Sequence, residues 1–118
     1  MKAALAVVVA AVSLVVLQAQ EIYKVGNGVL APVPTKQVHP EYTAEAKAAR
    51  IEGVVDVGVV VLADGTVRDV AVTKSLDSVL GLDKQAVNAA KEWLFKPATK
   101  DGKPVAVSVT LQMKFTLQ

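Results

Sequence analysis

The chain has 118 residues, enough for one small domain with a core but not two. It contains no cysteine, which excludes disulfides, thiolate metal sites, a cysteine nucleophile and a lipid-bearing cysteine behind a leader. Thirteen basic and eleven acidic side chains give a net charge of +2, the signs are interspersed, and the domain's only arginines are Arg50 and Arg68. The concentrated basic face that nucleic-acid binding requires is missing.

Residues 1–19 form an apolar leader. Lys2 supplies a minimal positive start, Ala3 to Leu17 an uncharged apolar run, and Gln18-Ala19-Gln20 a short polar exit. That order is the order of a secretory signal peptide. Leu17 is large for the position two before a cleavage after Ala19, and Ala3 to Ala19 spans 17 residues, the short limit for crossing a membrane. The rival expectation is therefore an uncleaved anchor, and either route places the rest of the chain outside the cytoplasm. Removing the leader deletes Lys2 and leaves twelve basic and eleven acidic side chains, a net of +1.

Residues 20–39 carry Gly26, Gly28, Pro32 and Pro34 ahead of Pro40 without a helical period, so an extended linker or arm is expected. Residues 40–118 hold the domain. Thr43 suits an N-cap, Glu45 the first turn, and Ala46, Lys47, Ala48 and Ala49 a short helix that leaves through unusual dihedrals at Gly53. Val54 to Leu62 reads as a strand, Ala63-Asp64-Gly65-Thr66 as a turn, and Val67 to Lys74 as the returning strand of a hairpin. Val55, Val57, Val59 and Val61 face the core with Val70 and Val72, while Asp56 and Gly58 mark the outer face.

A second helix is expected from Asp83 as N-cap, with Leu82 and Val87 as a hydrophobic staple. Leu82, Ala86, Ala89, Ala90, Trp93 and Leu94 share one face, and Pro97 ends the helix near Phe95-Lys96. Asp101-Gly102-Lys103-Pro104 then turns the chain into a last strand, Val105 to Leu117, whose thirteen positions alternate without exception. Its seven apolar side chains represent about 10–20 kcal/mol of burial as an upper bound. The implied fold is α+β, order α-β-β-α-β, an antiparallel three-stranded sheet with helices packed on one face.

Nothing in this pattern points to catalysis. His39 is the single histidine and reads as a solvated loop residue before Pro40, with no His/Asp/Glu set of ligand spacing around it. Trp93 reads as core, and Lys96, Lys100 and Lys103 as a solubilising basic loop. Ser75, Ser78 and Ser108 have no histidine–carboxylate pairing, and no glycine-rich phosphate loop appears. No enzyme, cofactor or metal is expected.

An ordered set of motifs resembles the C-terminal domain family of TonB, the periplasmic energy transducer. It comprises Pro40-Glu41-Tyr42, Ala46 and Ala49, Ile51-Glu52-Gly53-Val54, Asp64-Gly65-Thr66-Val67, Leu82-Asp83, Ala86, Trp93-Leu94-Phe95-Lys96-Pro97 and Gly102-Lys103-Pro104-Val105. The likeness covers about residues 36–117. It implies a periplasm-facing domain that captures an extended peptide from a TonB-dependent outer-membrane transporter by strand addition to its last strand. The implied pairing stretch is Val109, Thr110, Leu111, Gln112, Met113, Lys114 and Phe115, with Pro40 and Tyr42 in the loop beside it. A proline at Thr110 is expected to abolish binding, provided that this amide faces the partner.

Two departures from the family pattern stand out. Thr43 follows Tyr42 where the family usually has proline. The leader holds Ser13 but no histidine, and the linker is short, which counts against coupling to the ExbB–ExbD motor. The alternative expectation is a self-associating envelope module, a homodimer built through the same edge.

Overall fold

The computed structural model describes residues 21–118, so the reading of residues 1–19 as signal peptide or anchor lies outside the described residues. The elements in chain order are β1 (Ile22–Lys24), β2 (Val29–Leu30), β3 (Val33–Lys36), α1 (Ala44–Ala48), β4 (Gly53–Val61), β5 (Val67–Lys74), α2 (Leu82–Ala90), β6 (Leu94–Lys96), β7 (Ala98–Lys100) and β8 (Lys103–Phe115). Strands β5, β4 and β8 form the antiparallel centre, as the β-branched runs and alternation require. No helix among the described residues is long and apolar enough to cross a membrane.

The core lies between this sheet and the two helices. Val55, Val57, Val59 and Val61 from β4 meet Val107, Leu111, Met113 and Phe115 from β8, and Ala46, Leu82, Ala86, Ala89 and Ala90 close over them from α1 and α2. Alanines on the helix faces let both helices approach the sheet closely. Ser108, Thr110, Gln112 and Lys114 are exposed, so the alternation of β8 holds over this stretch. Ala106 is the exception: it is buried on the opposite face from the core cluster, where its strand pairs with Ile22 of β1.

The sheet is wider than three strands. Its order is β2-β7-β8-β4-β5, with β1 pairing in parallel with β8, and β3 pairs separately with β6. The stretch 20–39, expected as a linker, is therefore extended but docked along the domain over β1 to β3. Asn27 (φ 50°) and Gly28 (φ 88°) make a tight turn closed by two hydrogen bonds of 3.0 Å between Gly26 and Val29. Val29 is buried beneath it.

Both helix ends differ in detail from expectation. Thr43 does cap α1: its hydroxyl accepts from the Ala46 N–H (3.2 Å) and donates to the Leu80 carbonyl (2.7 Å), tying α1 to the β5–α2 loop. The chain leaves α1 through Arg50 at φ 56°, and Gly53 adopts the unusual dihedral expected of it, φ 149°, as β4 begins. Helix α2 starts one residue early, after Gly81 at φ 95°, and Asp83 is not its cap. Instead Asp83 accepts from the Leu76 and Asp77 N–H groups (3.0 and 3.1 Å) and from the Ser75 hydroxyl. Asp77 takes the capping work, accepting from the N–H groups of Val79, Leu80 and Leu82 at 2.9–3.2 Å. Helix α2 ends at Ala90, four residues before Leu94, which pairs with Lys36 as a β6 residue and is exposed.

The Asp64-Gly65-Thr66 turn forms as expected. Asp64 Oδ1 accepts from the Thr66 N–H and hydroxyl (2.9 and 2.6 Å). Gly65 stands at φ 90°, and a Cβ there would lie 2.1 Å from the Phe95 carbonyl oxygen, because the Phe95 N–H bonds the Gly65 carbonyl at 2.9 Å. Gly102 has a similar φ of 78° but open space around it. Gly65→Ala should therefore cost more than about 3 kcal/mol, and Gly102→Ala only about 1–2 kcal/mol, measured by urea unfolding.

The backbone donors around Asp77, that of Leu80 foremost, hold its carboxyl below the usual carboxylate range against the opposing effect of burial. A group whose folded pKa is depressed contributes stability above its unfolded pKa, and this is lost as pH falls through the folded value. Asp77→Asn should thus lower Tm at neutral pH, with the gap from the parent narrowing as pH falls below about 4.

Candidate peptide-binding edge

Strand β8 is the longest element, with thirteen residues, and each residue offers ladder groups to one side or the other. Strand β4 lines one side from Val107 to Phe115, in the register Val61↔Val107 through Gly53↔Phe115. The other side is covered only in part, by β1 over Ala106 to Ser108, while β7 pairs with Lys103 to Val105 beyond the end of β4. Among the described residues no strand pairs with Val109 to Phe115 on that side, and no backbone hydrogen bond reaches it from the Gln37–Pro40 segment.

The direction of the ladder groups follows from the β4–β5 hairpin. The Leu62 N–H bonds the Thr66 carbonyl at 2.8 Å and the Asp56 carbonyl accepts from the Thr73 hydroxyl, so even-numbered residues of β4 face β5 and odd-numbered ones face β8. The β4–β8 register pairs odd with odd, from Val61↔Val107 to Gly53↔Phe115. Odd-numbered residues of β8 therefore direct N–H and C=O toward β4, and even-numbered residues toward the other side. Pro104, which has no N–H, falls opposite Thr99 on a position that does not bond β7, since the Asp101-Gly102 turn closes on the bonded pair Lys100 and Lys103. On the open stretch, Thr110, Gln112 and Lys114 present the free ladder groups. Val109, Leu111, Met113 and Phe115 spend theirs on β4, so proline at Thr110 removes a donor that faces a partner, as the sequence reading required.

The side chains divide the same way. Leu111, Met113 and Phe115 are buried in the core, which fixes the strand, while Thr110, Gln112 and Lys114 are exposed on the helix-free face. On that face a shallow depression of about 510 Å³ lies over Gly58, between Thr73 of β5 and Thr110 of β8, with Lys24 at its rim. The open edge itself is flanked by a groove of about 160 Å³ lined by Gln37, Val38, His39, Pro40, Trp93, Gln112, Met113 and Lys114.

Of the loop residues expected beside the edge, Pro40 lines this groove and Tyr42 closes one end of the domain. The Tyr42 ring meets Phe115 edge-on at 5.4 Å, and its hydroxyl donates to the Ile51 carbonyl. Burial, reinforced by Glu52 and opposed by Arg50, pushes its phenol up, so it stays a neutral donor. Trp93 is half-buried, tilted against Phe95 at 6.0 Å, and its Nε1–H donates to the Val38 carbonyl at 2.9 Å. It fixes the groove wall opposite β8 as well as packing on the core. Sequence reading missed this clamp, and it missed β1. Gly26-Asn27-Gly28 between Val25 and Val29 was the available signal, an Asn-Gly turn between apolar residues.

No group of three or more His, Asp or Glu side chains that could hold a metal occurs among the described residues. The arrangement offers directed backbone donors and acceptors beside a groove, which suits an extended chain rather than a reacting small molecule.

Comparison with known proteins agrees with this architecture. The TonB protein of Pseudomonas aeruginosa is 32% identical over 85 residues, 72% of this chain. The chain spans only about a quarter of that relative, 25% of its length. The solution structure of the TonB C-terminal domain from Pseudomonas aeruginosa shares the fold with a TM-score of 0.55 at 27% identity, covering 79% of this chain and 92% of that one. Domains of this kind are not enzymes. Residues 38–117 match the family described as Gram-negative bacterial TonB protein C-terminal, and the chain belongs to that family.

Proposed function

We propose that this domain works on the periplasmic side of the envelope as a TonB-type receptor for TonB-dependent outer-membrane transporters, taking up an extended transporter peptide as an added strand on Val109 to Phe115. The observation that carries this reading is the unpaired side of β8 over those seven residues, in a strand held rigid by Leu111, Met113 and Phe115. Strand addition draws affinity from ladder hydrogen bonds and selectivity from neighbouring side chains. Here the free ladder groups belong to Thr110, Gln112 and Lys114, and the nearest selective surface is the groove between Gln37–Pro40 and Gln112–Lys114. Binding is the activity these residues carry by themselves; transmission of force would fall to other parts of an energy-transducing assembly.

A peptide from the N-terminal box of a TonB-dependent transporter should shift the amide signals of Thr110, Gln112 and Lys114 most strongly in NMR titration. Thr110→Pro removes an outward donor at an exposed position and should weaken binding about tenfold or more, with the circular dichroism spectrum unchanged. Shifts confined to other elements would refute strand addition at this edge. So would a concentration-independent dimer in sedimentation whose β8 amides ignore the peptide.

A further inference from the structure

We propose that β1 is a displaceable strand that sets how far a peptide can pair along β8; this deepens the strand-addition reading and rests on it. On the side of β8 opposite β4, β1 occupies Ala106 to Ser108 and Val109 to Phe115 is open. Strand β1 runs parallel to β8, with Ile22↔Ala106, Tyr23↔Val107 and Lys24↔Ser108. It does not continue along the open stretch. After Lys24 the chain bends at Val25, and the Asn27-Gly28 turn sends it back along β7 as β2. An added peptide therefore meets Lys24 and Val25 end-on and stops at Val109.

The hold on β1 is slight. Ala106 and Ser108 are even-numbered, so their ladder groups face β1, and in a parallel ladder they bond Tyr23: its N–H donates to the Ala106 carbonyl and its carbonyl accepts from the Ser108 N–H. Ile22 and Lys24 are exposed. Tyr23 is half-buried, with Lys100 Nζ 4.8 Å from its ring centroid and its hydroxyl donating to Glu21 at 3.1 Å. A three-residue parallel ladder and one partly covered ring, set against the ordering of that backbone, make a segment of low local stability. The next anchor is firmer, because Val29 is buried and the Gly26–Val29 turn closes on two hydrogen bonds. Strand β1 can lift while β2 keeps the arm attached. The pairing window then grows from seven residues, Val109 to Phe115, to ten, Ala106 to Phe115.

Tyr23→Pro removes the β1 donor to the Ala106 carbonyl together with the ring beneath Lys100, and Tyr23→Ala removes the ring while leaving the backbone alone. The probes are a transporter box peptide in a seven-residue form and the same peptide extended to about twelve residues. In the parent chain the two forms should bind within about twofold of each other, with shifts ending at Val109. In Tyr23→Pro the longer form should bind about tenfold tighter than the shorter and bring new shifts at Ala106 to Ser108; Tyr23→Ala should move the same way by a smaller factor. If both peptides shift Val109 to Phe115 and neither variant creates a length dependence, the role of β1 is refuted while strand addition stands. If neither peptide shifts Val109 to Phe115 in any of the chains, both readings fall together. Pairing of the long form over Ala106 to Ser108 in the parent, with β1 still protected from exchange, would also refute it.

Discussion

The constraint on which the rest depends is the ladder of a strand that is longer than its partners. Thirteen residues of β8 present backbone groups on both sides, and β4 satisfies one side over nine of them. The hydrophobic effect keeps that strand in place, since Val107, Leu111, Met113 and Phe115 carry the core on its helix-facing side. The strand cannot shorten or rotate without exposing those side chains. Its second side must then be met by something, and the domain meets it with one short strand, β1, and leaves seven residues open.

An exposed edge invites uncontrolled pairing, and this one is moderated by its surroundings. Lys114 and the polar Thr110 and Gln112 line the helix-free face, and β1 blocks one end. At the other end Tyr42 closes over Phe115, and Trp93 holds Val38 across the groove. The chain that precedes α1 thus serves the edge twice, as a short competing strand and as a wall. That dual use explains why a stretch rich in glycine and proline is nonetheless ordered against the domain.

Much of this was legible in the residues. The α-β-β-α-β order, the alternation of β8, the Thr43 cap and the Asp64-Gly65 turn each rest on a signal contained within a few neighbouring residues. What escaped reading depends on distant partners. Strands β1, β2 and β3 have two to four residues each, too few for a period to show, and they exist because β8, β7 and β6 offer edges to them. Asp83 has the residue type of an N-cap but points back to Leu76 and Asp77, because Asp77 already supplies the cap from five residues before Leu82. Leu94 fits the helical face by spacing, yet the chain leaves α2 after Ala90 and pairs Leu94 with Lys36. The outward direction of the even-numbered amides was hidden for the same reason: it follows from the β4–β5 hairpin and the β4–β8 register, which spacing within β8 does not specify.

Backbone hydrogen exchange on the unliganded domain tests the open edge most directly, residue by residue. Val109, Leu111 and Met113, bonded to β4, should be protected to near the global unfolding limit, while Thr110, Gln112 and Lys114 exchange orders of magnitude faster despite lying in the same strand. Uniform protection along Val109 to Phe115 would mean that the edge is already paired, and the docking site described here would not exist.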